Sequence, residues 1–368
     1  MKTLLIDSSY LMYRSYFAYP NLSFENQPVG AFFGFAKTIL QLITEYQPNQ
    51  IVFAGDTSQP TWRHKCYPDY KAGRAKIEDN LVFQIPLIHN WCNKITKNNF
   101  RIAGWEADDI IFTIGVQELS NFREFNSKLR SYNGDFATNS NTTLESVQKP
   151  DDDLPQFPHK FSDLLKDANA NANAIWIFSA DRDLYQMLNL DNLKFANSSK
   201  LGGMETFGIM EFETKYQLNP LQWLDYKAMV GDGSDNLKGI GGVGPKTATG
   251  FLQEVGSLYN FYKKLNNSEC DPSPFLRTAG GQYQNQDKLD EFLQSPKNQS
   301  IITKMADHYE ILKITYILSA LSIVPKLEFE PTGFDLQNGI ETLSKYGFKS
   351  LVTMVHKLEP KAEEEGLF

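Results

Sequence analysis

Acidic residues that follow short apolar runs are the first side chains here whose types and spacing could do chemistry. Thr3 to Ile6 runs into Asp7, Ile51 to Ala54 is followed by Asp56, and Ile175 to Phe178 is followed by Asp181 and Asp183. If these runs are parallel strands, their carboxyl ends share one edge of the sheet and the side chains converge there. Asp181 and Asp183 are two residues apart, which puts both on the same side of a chain still extended. Glu106-Ala107-Asp108-Asp109 opens a helix-like stretch, and Asp232-Gly233-Ser234-Asp235-Asn236 adds a further acidic pair. Each group has an ordinary structural explanation by itself: aspartate caps helices, acids in a first turn complement the helix dipole, and polar residues make turns. Together, carboxylates crowded at a common site repel one another unless cations neutralise them. Ligands that are all oxygen select hard ions, Mg²⁺ or Mn²⁺. Two such ions about 4 Å apart activate a water and stabilise the leaving oxygen in phosphodiester hydrolysis.

The elements that must position these acids can be read from hydrophobic patterning. The three apolar runs read as buried strands, and helix-like stretches lie between them at Ala31 to Glu45, Asn80 to Lys94 and Asp108 to Leu119. Strands alternating with helices imply a mainly parallel sheet covered on both faces. From about Asn121 to Asn173 the pattern dissolves into Asn, Ser, Asp and Pro, including Asn139-Ser140-Asn141-Thr142-Thr143 and Asp151-Asp152-Asp153, which reads as a solvated insertion. From Pro220 the chain turns helical, passes a glycine cluster at 239–244 and continues to about Tyr262. A second polar stretch, Ser268 to Gln286, precedes a helix from about Ser300 to Ser319.

Composition sets the limits. The 368 residues are 41% hydrophobic and 22% charged, enough for one large core with a smaller helical satellite. Cys66, Cys92 and Cys270 are odd in number and far apart, without the CxxC spacing of a zinc or redox site, which fits a reducing, intracellular, cytoplasmic setting. The run that ends at Asp7 is too short for a signal peptide, and Tyr316 to Val324 is about half of what a membrane span requires, so neither secretion nor a membrane role is expected. The net charge of −8 argues at first against a nucleic-acid partner. Nine carboxylates assigned to one metal site account for −9 of it, leaving +1 for everything else, and the acidic tail Glu363-Glu364-Glu365 offsets further basic surface.

These residues resemble, in type and order, the 5′ nucleases found at the amino terminus of bacterial DNA polymerase I, as free-standing phage enzymes and as flap endonucleases. The matching pieces are Leu4-Leu5-Ile6-Asp7 with Tyr13-Arg14, Gly55-Asp56 leading to Pro60-Thr61-Trp62-Arg63-His64, and Tyr70-Lys71-Ala72-Gly73-Arg74. They continue with Glu106-Ala107-Asp108-Asp109, Ser179-Ala180-Asp181-Arg182-Asp183-Leu184-Tyr185 and Gly231-Asp232-Gly233-Ser234-Asp235-Asn236. With the glycine cluster they cover most of residues 1–265 apart from the insertion. The resemblance implies an α/β, PIN-like parallel-sheet core with a helical arch near residues 62–86, plus a helical helix-hairpin-helix DNA-binding region. It implies that Asp7, Asp56, Glu106, Asp108, Asp109, Asp181, Asp183, Asp232 and Asp235 hold two Mg²⁺ or Mn²⁺ ions. It gives Lys71 and Arg74 the scissile phosphate, and their three-residue spacing would put both on one face of an arch helix.

Leu237 to Ala248, with Gly242, Gly244, Lys246 and Thr247, resembles the helix-hairpin-helix element, where glycines let the backbone approach phosphate and a helix amino terminus offers N–H donors. In the family this element binds duplex DNA and often carries K⁺; Arg14, Arg63 and Tyr70 are expected to add DNA contacts. The implied activity is structure-selective 5′-3′ exonuclease and 5′ flap endonuclease cleavage of DNA by a monomer in replication or repair. The expected organisation is a nuclease core over 1–205 with its insertion at 121–173, a hairpin region over 206–330 and a carboxyl-terminal extension over 331–368. Since no polymerase region follows, a free-standing enzyme is expected, and the long insertion departs from the family pattern. A PIN-like ribonuclease lacks the hairpin element and the 232/235 pair. A binding protein with a decayed site would gain nothing from so much concentrated negative charge.

Overall fold

The computed structural model describes residues 1–119, 173–190, 192–198, 203–265, 269–278, 286–327 and 329–358. The polar stretch read at 121–173 falls almost wholly, that at 268–286 in part (268 and 279–285), and the acidic tail wholly, outside the described residues.

The first strand, β1 (Lys2–Asp7), is buried from Thr3 to Asp7 and leads into α1 (Ser8–Ala18); a small hairpin of β2 (Ser23–Phe24) and β3 (Gln27–Pro28) follows. Then come α2 (Gly30–Tyr46), β4 (Gln50–Ala54), a short α3 (Trp62–Cys66), α4 (Asp79–Ile95), β5 (Asn99–Phe100) and α5 (Ala107–Leu119). After β6 (Ala174–Phe178) a 3-10 helix over Asp183–Asn189 leads to β7 (Leu193–Ser198) and β8 (Met204–Phe207). The sheet runs β5-β4-β1-β6-β7-β8, parallel except for β8. Leu4 lies opposite both Ile51 and Trp176, so β1, β4 and β6 end level and the acids that follow them emerge on one edge.

Both faces of the sheet are covered, which is why its strands read as unbroken apolar runs. Leu4, Ile6, Ile51 and Phe53 face a core with α1, α2 and α4, while Leu5, Val52, Ile175 and Ile177 face the other way, onto α5. Every residue of α5 except Glu118 is buried. At its Gly115 a Cβ would stand 2.5 Å from the Met187 methyl, which would have to swing aside.

The helical region packs on that same second core. It comprises α6 (Ile209–Tyr216), α7 (Trp223–Val230), a two-stranded ribbon of β9 (Gly231–Asp232) and β10 (Leu237–Lys238), α8 (Pro245–Val255), α9 (Leu258–Leu265), α10 (Gln286–Gln294), α11 (Gln299–Asp307) and α12 (Tyr309–Ser319). From α12 the chain leaves as an extended strap laid along α5. Asp109, Thr113 and Gln117, four residues apart on one face of α5, take its backbone in turn. Ser322 N donates to Asp109 Oδ1 (2.9 Å), Val324 N to Thr113 Oγ1 (2.9 Å) and Phe329 N to Gln117 Oε1 (3.2 Å), and Gln117 Nε2 donates to the Leu327 carbonyl (2.7 Å). Each such buried bond contributes about 1 kcal/mol, and losing one partner costs more.

The chain then crosses to the opposite face. There α13 (Gln337–Lys345) and α14 (Lys349–Leu358) cover α4 and α2, with Phe348 edge-on to Phe32 and Phe33 at 5.3 Å each and Gly339 against Trp91. The extension expected over 331–368 thus carries two helices packed on the nuclease core, as far as it is described. No helix among the described residues is long and apolar enough to cross a membrane.

The expected arch needs one correction. Residues 62–86 form α3, then turns through residue 73, an extended link and the first turns of α4, so Lys71 and Arg74 do not share a helix face. Lys71 has φ +57°, and Arg74 N donates to the Lys71 carbonyl (3.1 Å), closing a turn that brings the two side chains together. A three-residue spacing is met equally by a turn, and Gly73 beside Pro68 and Asp69 favours the turn.

Candidate metal centre

Asp7 ends β1 and caps α1: Tyr10 N donates to its Oδ1 (2.9 Å), and Ser179 Oγ, from the end of β6, donates to its Oδ2 (2.7 Å). The same Ser179 hydroxyl accepts from Asp181 N (3.0 Å), and Asp181 Oδ1 accepts from Asp183 N (2.8 Å), so one serine ties the acids of β1 and β6. Asp56, two residues past β4, accepts from Ala107 N (2.9 Å), which holds it at the amino terminus of α5 beside Glu106 and Asp108.

The 232–235 loop closes the site from the helical side. Gly231 has φ +80°, and a Cβ there would stand 2.4 Å from Gly239 N; one at Gly239 would stand 2.3 Å from the Val230 carbonyl carbon. Only two glycines permit this crossing of the chain. It turns Asp232 back toward α7, where Ser234 N and Oγ donate to its Oδ1 (2.8 and 2.6 Å). Lys71 N donates to the Asp235 carbonyl (3.0 Å) and Asn236 Nδ2 to the Asp69 carbonyl (2.8 Å), which locks this loop to the turn at residues 69–74.

Two lysines bridge the two halves. Lys71 Nζ lies 2.8 Å from Glu106 Oε1 and 3.9 Å from Asp235 Oδ2; Lys227 Nζ, from α7, contacts Asp183 and lies 2.6 Å from Asp232 Oδ2. Arg74 Nη2 stands 2.7 Å from Asp235 Oδ1, and Tyr70 donates its hydroxyl to both Glu106 and Asp235 at 3.1 Å. Among the described residues, no group of three or more histidine, cysteine, aspartate or glutamate side chains closes up enough to hold an ion by itself. The convergence expected from the sequence is therefore one pocket of acids with ammonium groups between them.

The charge balance is uneven. Burial, reinforced by Asp56, pushes the Asp7 carboxyl up to about 7, and burial with Asp181 pushes Asp183 up to about 7 even with Lys227 in contact. Burial, then neighbouring Asp109 in one case, also raises Asp181 and Asp108. Glu106 and Asp232 go the other way, to about 2: burial opposes ionisation, but Arg63 and Lys71 outweigh it at Glu106, and Lys227 does so at Asp232. Lys71 and Lys227 themselves are held protonated by those acids against their burial. Hard oxygen donors that retain protons near neutrality for want of positive charge are what a divalent cation relieves. Asp7, Asp108, Asp181 and Asp183 are of that kind, and with Asp56, Glu106, Asp232 and Asp235 around them the donor set is the all-oxygen chemistry that such ions take.

Other expected residues are placed differently. Asp109 is not in this pocket; it is fully buried and gives its oxygens to Arg63 and to Ser322 N. Arg63, expected on DNA, is 1% exposed and bonds Asp109 and the carbonyls of Leu318 and Ala320. Tyr70 is likewise buried, facing carboxylates and not solvent. Both corrections share a cause: buried carboxylates recruited the nearest donors. Arg14 is on the surface, its Nη2 2.7 Å from Ser198 Oγ. Gly242, Gly244, Lys246 and Thr247 are exposed at the turn into α8, Gly242 at φ +76°. Lys227 and Ser179 were missed. A lysine five residues before Asp232 looks like any helical lysine until the fold buries it, whereas Ser179 had a signal in directly following β6.

The chain matches two family models: residues 2–147 match the 5′-3′ exonuclease, N-terminal resolvase-like domain, and residues 218–340 match the 5′-3′ exonuclease, C-terminal SAM fold. The 5′-3′ exonuclease of Mycoplasmopsis pulmonis is 31% identical over 267 residues, 73% of this chain and 71% of that protein. The thermostable DNA polymerase I of Thermus thermophilus is 30% identical over 270 residues, 72% of this chain; the match spans only 25% of the polymerase's length. Among solved structures, bacteriophage T5 5′-exonuclease with divalent zinc ions bound has a TM-score of 0.55 at 16% identity, over 97% of this chain and 98% of that one, a likeness of fold.

Proposed function

The chain belongs to the 5′-3′ exonuclease family, and from that premise we propose that it is a structure-selective 5′ nuclease hydrolysing DNA phosphodiester bonds beside 5′ ends and flaps. The observation that carries this reading is the pocket itself: acids from the ends of β1, β4 and β6, from the start of α5 and from the 232–235 loop face one another across Lys71 and Lys227. Acids so concentrated serve no purpose in binding a polyanion unless cations stand between the two.

Asp7, Asp56, Glu106, Asp108, Asp181, Asp183, Asp232 and Asp235 would hold two Mg²⁺ or Mn²⁺ ions. When bound, such ions activate a water and stabilise the leaving oxygen of an in-line displacement. The protein's share is orientation and charge. Backbone N–H donors pin one oxygen each of Asp56 and Asp181, leaving the other side of each carboxylate for the pocket, while Asp7 is oriented through both oxygens, by Tyr10 N and Ser179 Oγ. Lys71 and the half-exposed Arg74 stand at the mouth, on Glu106 and Asp235. An entering phosphate draws both cations from the carboxylates to itself, which releases Glu106 and Asp235 to ligate. Lys227, deeper, stays on Asp183 and fixes its direction.

Gly242, Gly244, Lys246 and Thr247 would grip the duplex backbone at the amino terminus of α8, with K⁺ in the hairpin, and Arg14 would add a surface contact. The enzyme would act as a monomer on DNA in the cytoplasm. The test is a cleavage panel of 5′-flap duplex, nicked duplex, single-stranded DNA and RNA with Mg²⁺ and with EDTA. Mg²⁺-dependent cutting that favours the flap supports the reading; binding of all forms without cutting ends it.

A further inference from the structure

We propose that Asp109 is a positioning residue that restrains Arg63 and so leaves Glu106 available to a metal ion, not itself a ligand; this rests on the nuclease reading above. The geometry divides one guanidinium between two carboxylates unequally. Arg63 Nη1 and Nη2 meet Asp109 at 2.6 and 2.9 Å, but the nearer Glu106 oxygen, Oε2, is 3.3 Å away. The remaining donors are also committed, Nε to the Leu318 carbonyl (2.8 Å) and Nη2 to the Ala320 carbonyl (2.9 Å). A planar fork with every arm engaged has one orientation.

The same Oε2 takes the Tyr70 hydroxyl at 3.1 Å, and Lys71 alone holds the other oxygen, Oε1, at 2.8 Å. Lys71 comes from the turn at the mouth, so when it moves to a phosphate, Glu106 Oε1 is free while Oε2 stays loosely held. That state depends on Asp109. Remove its charge, and the buried arginine has Glu106 as its nearest remaining anion; the guanidinium closes on it and competes with the ion. Partners of this kind commonly change metal affinity or activity by about 10- to 100-fold.

Three full-length proteins test this: the parent, Asp109→Asn, and Asp109→Asn combined with Arg63→Gln. Mn²⁺ binding is followed by electron paramagnetic resonance without DNA, and kcat and KM are measured on a 5′-flap duplex. The single variant is expected to bind the parent number of Mn²⁺ ions about tenfold more weakly, with kcat reduced and KM for DNA unchanged. The double variant, which removes the competitor, is expected to recover Mn²⁺ affinity to within about threefold of the parent. Loss of one bound ion that the second substitution does not restore makes Asp109 a ligand and overturns the proposal, as does parent-like Mn²⁺ affinity in the single variant. If either variant fails to fold by circular dichroism, Arg63→Lys decides: a point charge cannot make the fork, so kcat falls with the ion count kept, and parent-like kcat overturns it. A parent that shows this Mn²⁺ pattern yet cuts no DNA refutes the function while leaving the positioning role standing.

Discussion

Arg63 and Asp109 meet as a closed fork, Nη1 to Oδ2 at 2.6 Å and Nη2 to Oδ1 at 2.9 Å, neither side chain more than 1% exposed. The pair joins the base of the arch segment to the first turn of α5, and through the carbonyls of Leu318 and Ala320 it also holds the exit of the helical region. Three parts of the chain thus share one buried ion pair.

Breaking that pair from one side should be costly. Arg63→Ala leaves Asp109 in the core without a counter-charge, and a loss of about 3–5 kcal/mol is expected from urea midpoints. Arg63→Met with Asp109→Leu should recover part of it, because no unpaired charge remains, but the carbonyls of Leu318 and Ala320 stay without their donor.

Lys227→Met tests the second bridge. Asp183 and Asp232 would then face each other without the shared ammonium, so the folded state is expected to be weakened most at pH 8 and least near pH 5, where Asp183 takes a proton. A denaturation midpoint equally lowered at both pH values would contradict this.

Protonation should oppose metal binding. Asp7 and Asp183 have folded values of about 7 against an ordinary 3.8, so the folded metal-free protein binds protons that the unfolded chain does not. Its stability should rise as pH falls from about 8 toward 5, and a saturating divalent cation should abolish that rise. His89 acts in the opposite sense: burial, then Arg101, lowers it to about 4 from 6.5, so its contribution is present above 6.5 and lost as pH falls through 4. With two carboxyls against one imidazole, the net slope remains that of the acids. Proton release on adding Mg²⁺ at pH 7, measured by calorimetry in two buffers of different ionisation enthalpy, checks the coupling.

The glycines of the helical region separate folding from binding. Gly231→Ala puts a Cβ at φ +80° against Gly239 N and is expected to cost at least about 2 kcal/mol. At Gly244 a Cβ meets nothing within 4 Å, so Gly244→Ala should fold like the parent yet bind duplex more weakly if a phosphate approaches there. Unchanged duplex affinity in fluorescence anisotropy would remove Gly244 from the contact.

How much of this was legible in sequence depended on whether the signal was local. The strands ending at Asp7, Asp56 and Asp181 were legible because each is a short apolar run closed by a polar turn, and α5 because its acids and apolar residues are contiguous. Arg63 and Tyr70 were not: their partners lie 46 and 36 residues away, and from composition alone an arginine beside histidine and lysine reads as surface. Lys71 and Arg74 stand beside the acids but in a turn and not on a helix face, since a helix and a turn satisfy the same spacing. Lys227 shows the limit most plainly, because nothing around it in the chain distinguishes a buried bridge from a solvated lysine.

The route of the strap also bears on synthesis. Because α13 and α14 roof the α2–α4 surface from the far end of the chain, a ribosome will have delivered the sheet, the acids and the hairpin while Phe32, Trp91 and their neighbours still lack their cover. Nascent chains stalled before residue 337 should therefore be sticky and prone to capture by chaperones, and maturation of the nuclease pocket should await the arrival of helices that never touch it.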